Sequence, residues 1–146
     1  MKRVLLLILL LVPCAFGGCI FVPAIDAYNQ MGLSKGDREK LLPKEVKKFQ
    51  EALYWSQSQE AVQYVREDRR AEVGPELFKS LENTRVVESK TGSIEYDADS
   101  YKATVTVQVR FYKVPFYIVT DRTEKQVWEF TLSDGWKYVS KGELVK

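Results

Sequence analysis

The sequence predicts an α+β domain in which N-terminal helices pack on a curved antiparallel β-meander. Apolar residues recur at helical spacing up to Asn83 and alternate with period two from Thr84 onward. The turn-forming stretches Asp97-Ala98-Asp99-Ser100 and Asp134-Gly135 cut the alternating half into consecutive ribbons. Pro115, inside Val114 to Val119, cannot donate to a ladder and marks an edge, a bulge or the join between two strands. A bulge there bends the sheet so that it wraps the helical layer.

Asp37 caps a short turn through Leu42, and the first helix opens at Pro43 with Glu45, because proline at the first helical position gives up no needed donor. Val46, Phe49 and Leu53 form its apolar stripe, with Lys47, Lys48 and Glu51 off that stripe. A capping box of Ser56 and Gln59 opens a second helix through Ala61, Val62, Tyr64 and Val65, before the charged run Arg66 to Arg70. Gly74-Pro75 ends it and starts a short third helix carrying Leu77, Phe78 and Leu81. Val86 to Tyr96 is the first strand. In the second, Tyr101, Ala103, Val105, Val107, Val109 and Phe111 alternate with Lys102, Thr104, Thr106, Gln108 and Arg110. Asp121 to Glu124 divides a strand at Phe116 to Thr120 from one at Gln126 to Leu132. Asp134-Gly135 then turns the chain into Trp136 to Ser140.

A chain of 146 residues, 29% charged and 45% hydrophobic, is enough for one globular domain. Ahead of that domain, Met1 to Arg3 are basic at the start, Val4 to Val12 are unbroken apolar, and Ala15 to Gly18 are mostly small, the three-part layout of a secretory signal. Lys2 and Arg3 are the only charges before Cys19, so 20 basic and 20 acidic side chains remain beyond it. A neutral domain lacks the concentrated positive charge that nucleic acid requires, and no nucleic-acid partner is expected. Both cysteines, Cys14 and Cys19, sit in the leader, so the domain has no disulfide.

Gly17-Gly18-Cys19 resembles the lipobox of bacterial lipoproteins. That resemblance implies a signal peptide over residues 1–18, lipid (palmitate) on Cys19, a lipid-anchored tether over residues 19–42 and a domain over residues 43–146. Ile20, next to the lipidated position, carries no retention aspartate, which implies the outer membrane, facing the periplasm. Left uncleaved, Val4 to Ile25 is a run of 22 residues without charge, long enough to cross a hydrocarbon core of about 30 Å. The alternative is therefore a single-pass anchor in the inner membrane.

The absence of histidine removes the commonest general base and the commonest metal ligand together. With no cysteine beyond the leader, a zinc site, a Ser-His-Asp triad and a Cys-His pair are excluded from the domain. Glu95, Asp97 and Asp99 read as a solvated acidic turn rather than a cation site, since the glycine and distal glutamate of a calcium loop are missing. Arg66, Arg69 and Arg70, interrupted by Glu67 and Asp68, read as a charged helix end. No metal and no cofactor are expected. The aromatic set Tyr54, Trp55, Tyr64, Tyr101, Phe111, Phe116, Tyr117, Trp128, Phe130, Trp136 and Tyr138 reads first as core. A curved sheet also leaves an apolar pocket edged by hydroxyls, for which Tyr54, Tyr64, Tyr101, Tyr117 and Trp128 are the candidate ligand-binding residues.

Element order, the Glu60-Ala61-Val62-Gln63-Tyr64-Val65 helix and the closing Val127-Trp128-Glu129-Phe130 … Asp134-Gly135-Trp136-Lys137-Tyr138-Val139 hairpin resemble the NTF2-like (cystatin-type) superfamily over about Pro43 to Ser140. The resemblance implies a cone of three helices and a bent antiparallel sheet. Enzymes of that superfamily use an Asp or Glu base and a Tyr donor for proton transfer. No such motif can be placed here residue by residue, so no catalytic residues are carried over. The expected function is a membrane-anchored cell-envelope lipoprotein with a non-catalytic domain binding a small apolar ligand or a partner protein. Two alternatives stand beside it. One is a carboxylate/tyrosine isomerase or dehydratase. The other is a single-pass subunit of an envelope secretion or assembly complex, resembling the inner-membrane NTF2-like subunits of type IV secretion.

Overall fold

The computed structural model describes residues 31–141, so the leader, Cys19 and most of the expected tether lie outside the described residues. Helix α1 (Lys35–Tyr54) is followed by α2 (Ser58–Gln63), a 3-10 turn (Glu67–Arg69) and α3 (Arg70–Asn83). Strands β1 (Thr84–Tyr96), β2 (Lys102–Lys113), β3 (Thr120–Thr131) and β4 (Gly135–Lys141) then form an open, fully antiparallel sheet in the order β1-β2-β3-β4. The α+β class follows directly: helices first, then a four-stranded meander.

Helix α1 begins eight residues before Pro43. Ser34 is its N-cap, accepting from the Asp37 N–H at 3.2 Å, while the Ser34 hydroxyl donates to the Asp37 carboxylate at 2.5 Å. Asp37 thus sits inside the first turn, where its charge favours the helix dipole, rather than at the cap. Residues 35–42 consequently belong to the domain and not to a tether, with Arg38 and Leu42 buried. Pro43 lies mid-helix, where its missing N–H would orphan the Glu39 carbonyl. The Tyr96 hydroxyl donates to that carbonyl at 3.0 Å, which is why the helix can run through.

The expected capping box at Ser56 is not formed. Ser56 is in the left-handed region at φ 55°, the N-cap of α2 is Gln57, and no side-chain cap bond is made. A tight turn closed by Gln57 N–H to Ala52 O at 2.8 Å replaces it. Gly74-Pro75 does not separate two helices either, since α3 runs from Arg70 to Asn83 and buries Val73, Gly74, Leu77 and Leu81. Burial of that stripe outweighs the local breaker signal. Gly74 is also the contact point with α2, a Cβ there meeting Val62 at 3.8 Å.

Strand β3 is continuous across the expected break, because Asp121, Arg122, Thr123 and Glu124 pair in register with Arg110, Val109, Gln108 and Val107. Phe116 to Val119 is loop, and Pro115 marks the join between β2 and β3. The hairpin at Asp134-Gly135 is present, with Gly135 at φ 69°. Register shifts at Val86/Glu88, Thr91/Ile94 and Val127/Trp128 are bulges that twist and bend the sheet. The far edge of β4 is part-covered by the chain after α2, through Tyr138 N–H to Tyr64 O at 2.8 Å and Arg66 N–H to Tyr138 O at 2.9 Å. Among the described residues, no strand lies beside the long β1 edge.

The core lies between α1 and the inner sheet face. Leu42, Val46 and Phe49 meet Val105, Val107, Trp128, Trp136 and Tyr138, and each such side chain contributes roughly 1.5–3 kcal/mol on burial. Phe49 is the hub: its ring stacks on Tyr138 at 5.0 Å and takes Trp128 edge-on at 5.6 Å. Arg38 fixes the other end of α1. Its guanidinium donates to the carbonyls of Gly32, Leu33, Asp99 and Ser100 and lies 4.1 Å over the Tyr101 ring. The Arg38 carbonyl in turn accepts from Trp136 Nε1 at 2.8 Å, joining the first helix to the last strand.

Candidate functional site

The five aromatic residues expected to edge a pocket do not meet. Tyr54, Tyr101 and Tyr117 are exposed at separate places, Tyr64 is half-buried against Phe49, and Trp128 is fully buried in the core. Tyr101 serves Arg38, and Tyr54 packs against the neighbouring Trp55 at 5.0 Å. In the acidic turn, the Asp97 carboxylate accepts from the N–H groups of Tyr101 and Lys102 at 2.8 and 3.1 Å. Arg66 ion-pairs with Asp68 and Glu129, leaving no open basic cluster there.

The structure instead assembles a polar relay that the sequence reading did not pick out. On the inner face of β3, Glu124 and Gln126 stand in line with Trp128 and Phe130 and are buried, Glu124 at 3% exposure. From α1, Gln50 Nε2 donates to Gln126 Oε1 at 3.3 Å, and Gln126 Nε2 donates to Glu124 Oε1 at 3.0 Å. The second oxygen, Glu124 Oε2, lies 3.2 Å from Arg122 Nε and 4.0 Å from Lys141 Nζ. The Arg122 pair is within ion-pair distance, but its N–H is not aimed at the oxygen, and neither atom has a hydrogen bond. A signal for Glu124 existed: counting the β3 alternation backward from Phe130 and Trp128 puts Gln126 and Glu124 inside.

Around this relay, α1, α3 and the sheet enclose a cavity of about 30 Å³ reached by Phe49, Leu81, Glu124, Gln126 and Tyr138. It shares Leu77, Ser80, Tyr138 and Lys141 with an outer chamber of about 220 Å³, whose rim carries Glu72 and Glu76. The inner part has the volume of a bound water or two, and the outer part suits only a small compound. Burial raises the Tyr138 phenol far above its ordinary range, the Glu124 and Glu76 charges add to this, and Arg122 opposes it. The phenol is therefore a hydrogen-bond donor throughout the neutral range. The cleft offers an acceptor, a phenol donor, two cations and apolar walls.

A second surface feature is the β2–β3 loop, where Val114, Phe116, Tyr117, Ile118 and Val119 are exposed together. Among the described residues, no helix is long and apolar enough to cross a membrane.

No protein-family model matches the chain, and no curated protein matches it. Among solved structures, the chain is similar to the solution structure of a SEC-C motif containing protein from Rhodopseudomonas palustris. The TM-score is 0.53 at 14% identity, over 65% of this chain and 71% of that one. At that identity the likeness concerns the fold alone: helices followed by an open, four-stranded antiparallel sheet.

Proposed function

We propose that the chain is a cell-envelope lipoprotein, held by lipid on Cys19, whose domain is an NTF2-like cone that binds a small, largely apolar molecule without transforming it. The observation that carries the binding role is the buried Gln50–Gln126–Glu124 relay, which ends at an oxygen with no hydrogen bond beside the Tyr138 phenol. A buried polar atom without a partner costs about 1–3 kcal/mol, and a ligand that satisfies it recovers that free energy on binding. The fitting compound has a single hydroxyl or amine head that fits the inner cavity beside Glu124 and a short body that stays in the outer chamber against Val73 and Leu77. Ile20 after Cys19 favours the outer membrane, facing the periplasm.

The carboxylate/tyrosine enzyme is the second reading, and Glu124 and Tyr138 on one cleft are the observation in its favour. Against it, Arg122 and Lys141 flank the carboxylate, and about 30 Å³ leaves no room for a substrate between base and donor. An uncleaved leader would make the chain a single-pass subunit of an envelope complex instead.

Native mass spectrometry of the full chain extracted from its own membrane tests the proposal, alongside Cys19→Ala and Glu124→Gln variants. The expected species begins at Cys19 with added acyl mass, absent in Cys19→Ala, and retains a small compound whose occupancy drops about tenfold in Glu124→Gln, a loss of roughly 1.4 kcal/mol. An unmodified full-length chain refutes the anchor, and an empty wild-type domain refutes the ligand.

A further inference from the structure

The β2–β3 loop is the most exposed apolar segment among the described residues: Phe116 is 75%, Ile118 72% and Tyr117 66% exposed. It is built rather than slack. Val114 N–H donates to Asn83 O at 2.9 Å, and Phe116 and Tyr117 N–H both donate to Lys113 O, at 2.9 and 3.2 Å. Tyr117 is held in the left-handed region at φ 53°, its ring 5.3 Å from that of Tyr112. A strained non-glycine residue inside a run of outward-facing apolar side chains is a feature the fold maintains at a cost.

We propose that Val114 to Val119 is a spike that inserts into the surface of a phospholipid bilayer. The segment is only six residues long, far short of the roughly 800 Å² per partner that a stable protein interface buries. A bilayer asks less: aromatic and branched side chains that reach below the headgroups, with basic residues at the root. Lys113 stands exposed at that root, and among the described residues the neighbouring Arg85 is bonded only to the carbonyls of Leu81, Glu82 and Thr84. Beside the loop, an apolar notch of about 380 Å³ between Phe111, Phe116 and Ile118 can seat part of an acyl chain.

Reach permits it, granting the Cys19 anchor of the proposed function; the ligand cleft plays no part. The 12 residues of β2 separate the loop from the opposite end of the sheet by about 40 Å. Gly32 and Leu33 are held by Arg38, so the stretch that can extend is Ile20 to Met31, 12 residues spanning at most about 41 Å, just enough for a chain fixed at Cys19 to lay the loop on the same bilayer.

The test is photo-crosslinking in the native membrane with the full chain, using a benzoylphenylalanine at position 116, and at Gln108 on the exposed outer sheet face as control. Adduct masses are read after digestion, and a melting curve checks that each chain folds. Phospholipid adducts about tenfold more abundant at position 116 than at 108 are expected from interfacial insertion. A protein adduct at 116, no adduct there, or equal lipid labelling at both positions overturns the proposal. A parallel Cys19→Ala chain separates the two claims. Loss of acyl mass with the position-116 lipid adduct retained upholds both. Acyl mass present in wild type without that adduct leaves the anchor and removes the spike.

Discussion

Pro43 is tolerated inside α1 because the Tyr96 hydroxyl, 57 positions from Glu39, replaces the donor it lacks. That dependence is measurable as a coupling. Tyr96→Phe strips the Glu39 carbonyl of its partner and should cost about 1 kcal/mol in denaturant unfolding. In a Pro43→Ala background the new N–H takes the carbonyl, and the same Tyr96→Phe change should cost less than about 0.5 kcal/mol, a coupling within reach of a double-mutant cycle. Equal costs in both backgrounds would mean that the hydroxyl is not the substitute donor. Tyr138 gives a pH signature. Its phenol is held above the ordinary value of about 10, so its contribution is complete below that pH and is lost as pH rises toward the folded value. Tyr138→Phe should therefore flatten the fall in the urea midpoint between about pH 9 and about pH 11, leaving the smaller slope that the likewise raised Tyr64 and Tyr96 supply. An unchanged slope would contradict the assignment.

At the level of elements, the two sheet edges are treated differently. Tyr64 to Arg66 bond along β4 and occupy part of its free edge, whereas β1 is kept from pairing by two register shifts and by Glu88 and Lys90. Replacing both charges, Glu88→Val with Lys90→Val, should leave the fold intact and raise concentration-dependent light scattering. A variant that stays monomeric at high concentration would show that the bulges alone suffice. Element boundaries mark how far local pattern reaches. The two-period division at Asn83/Thr84 and the Asp134-Gly135 hairpin were legible because they depend on neighbours in sequence. The start of α1 was obscured by Pro43, whose cost is removed by the distant Tyr96. The unbroken run of α3 was obscured by Gly74-Pro75, which tertiary burial overrides. Asp121 to Glu124 resembled a turn by composition, and only pairing with β2 makes it strand and turns Glu124 inward. The cleft was hidden for that reason: a residue assigned to a turn has no face. Choosing Tyr54, Tyr64, Tyr101, Tyr117 and Trp128 by residue type failed likewise, since composition does not say which surface a ring will share.

For the molecule as a whole, two pieces from the two ends of the described chain close on each other. Trp136 donates to the Arg38 carbonyl across 98 positions, and the Arg38 side chain grips the β1–β2 turn. The first helix can therefore dock on α2, β1 and β2 as they are synthesised, but its buried face is completed only when Trp128, Trp136 and Tyr138 arrive with the last two strands. Closing of the core falls late in synthesis, and until then the polypeptide is open to proteases and chaperones. A polypeptide that stays open that long is also one that a translocation pore can still thread.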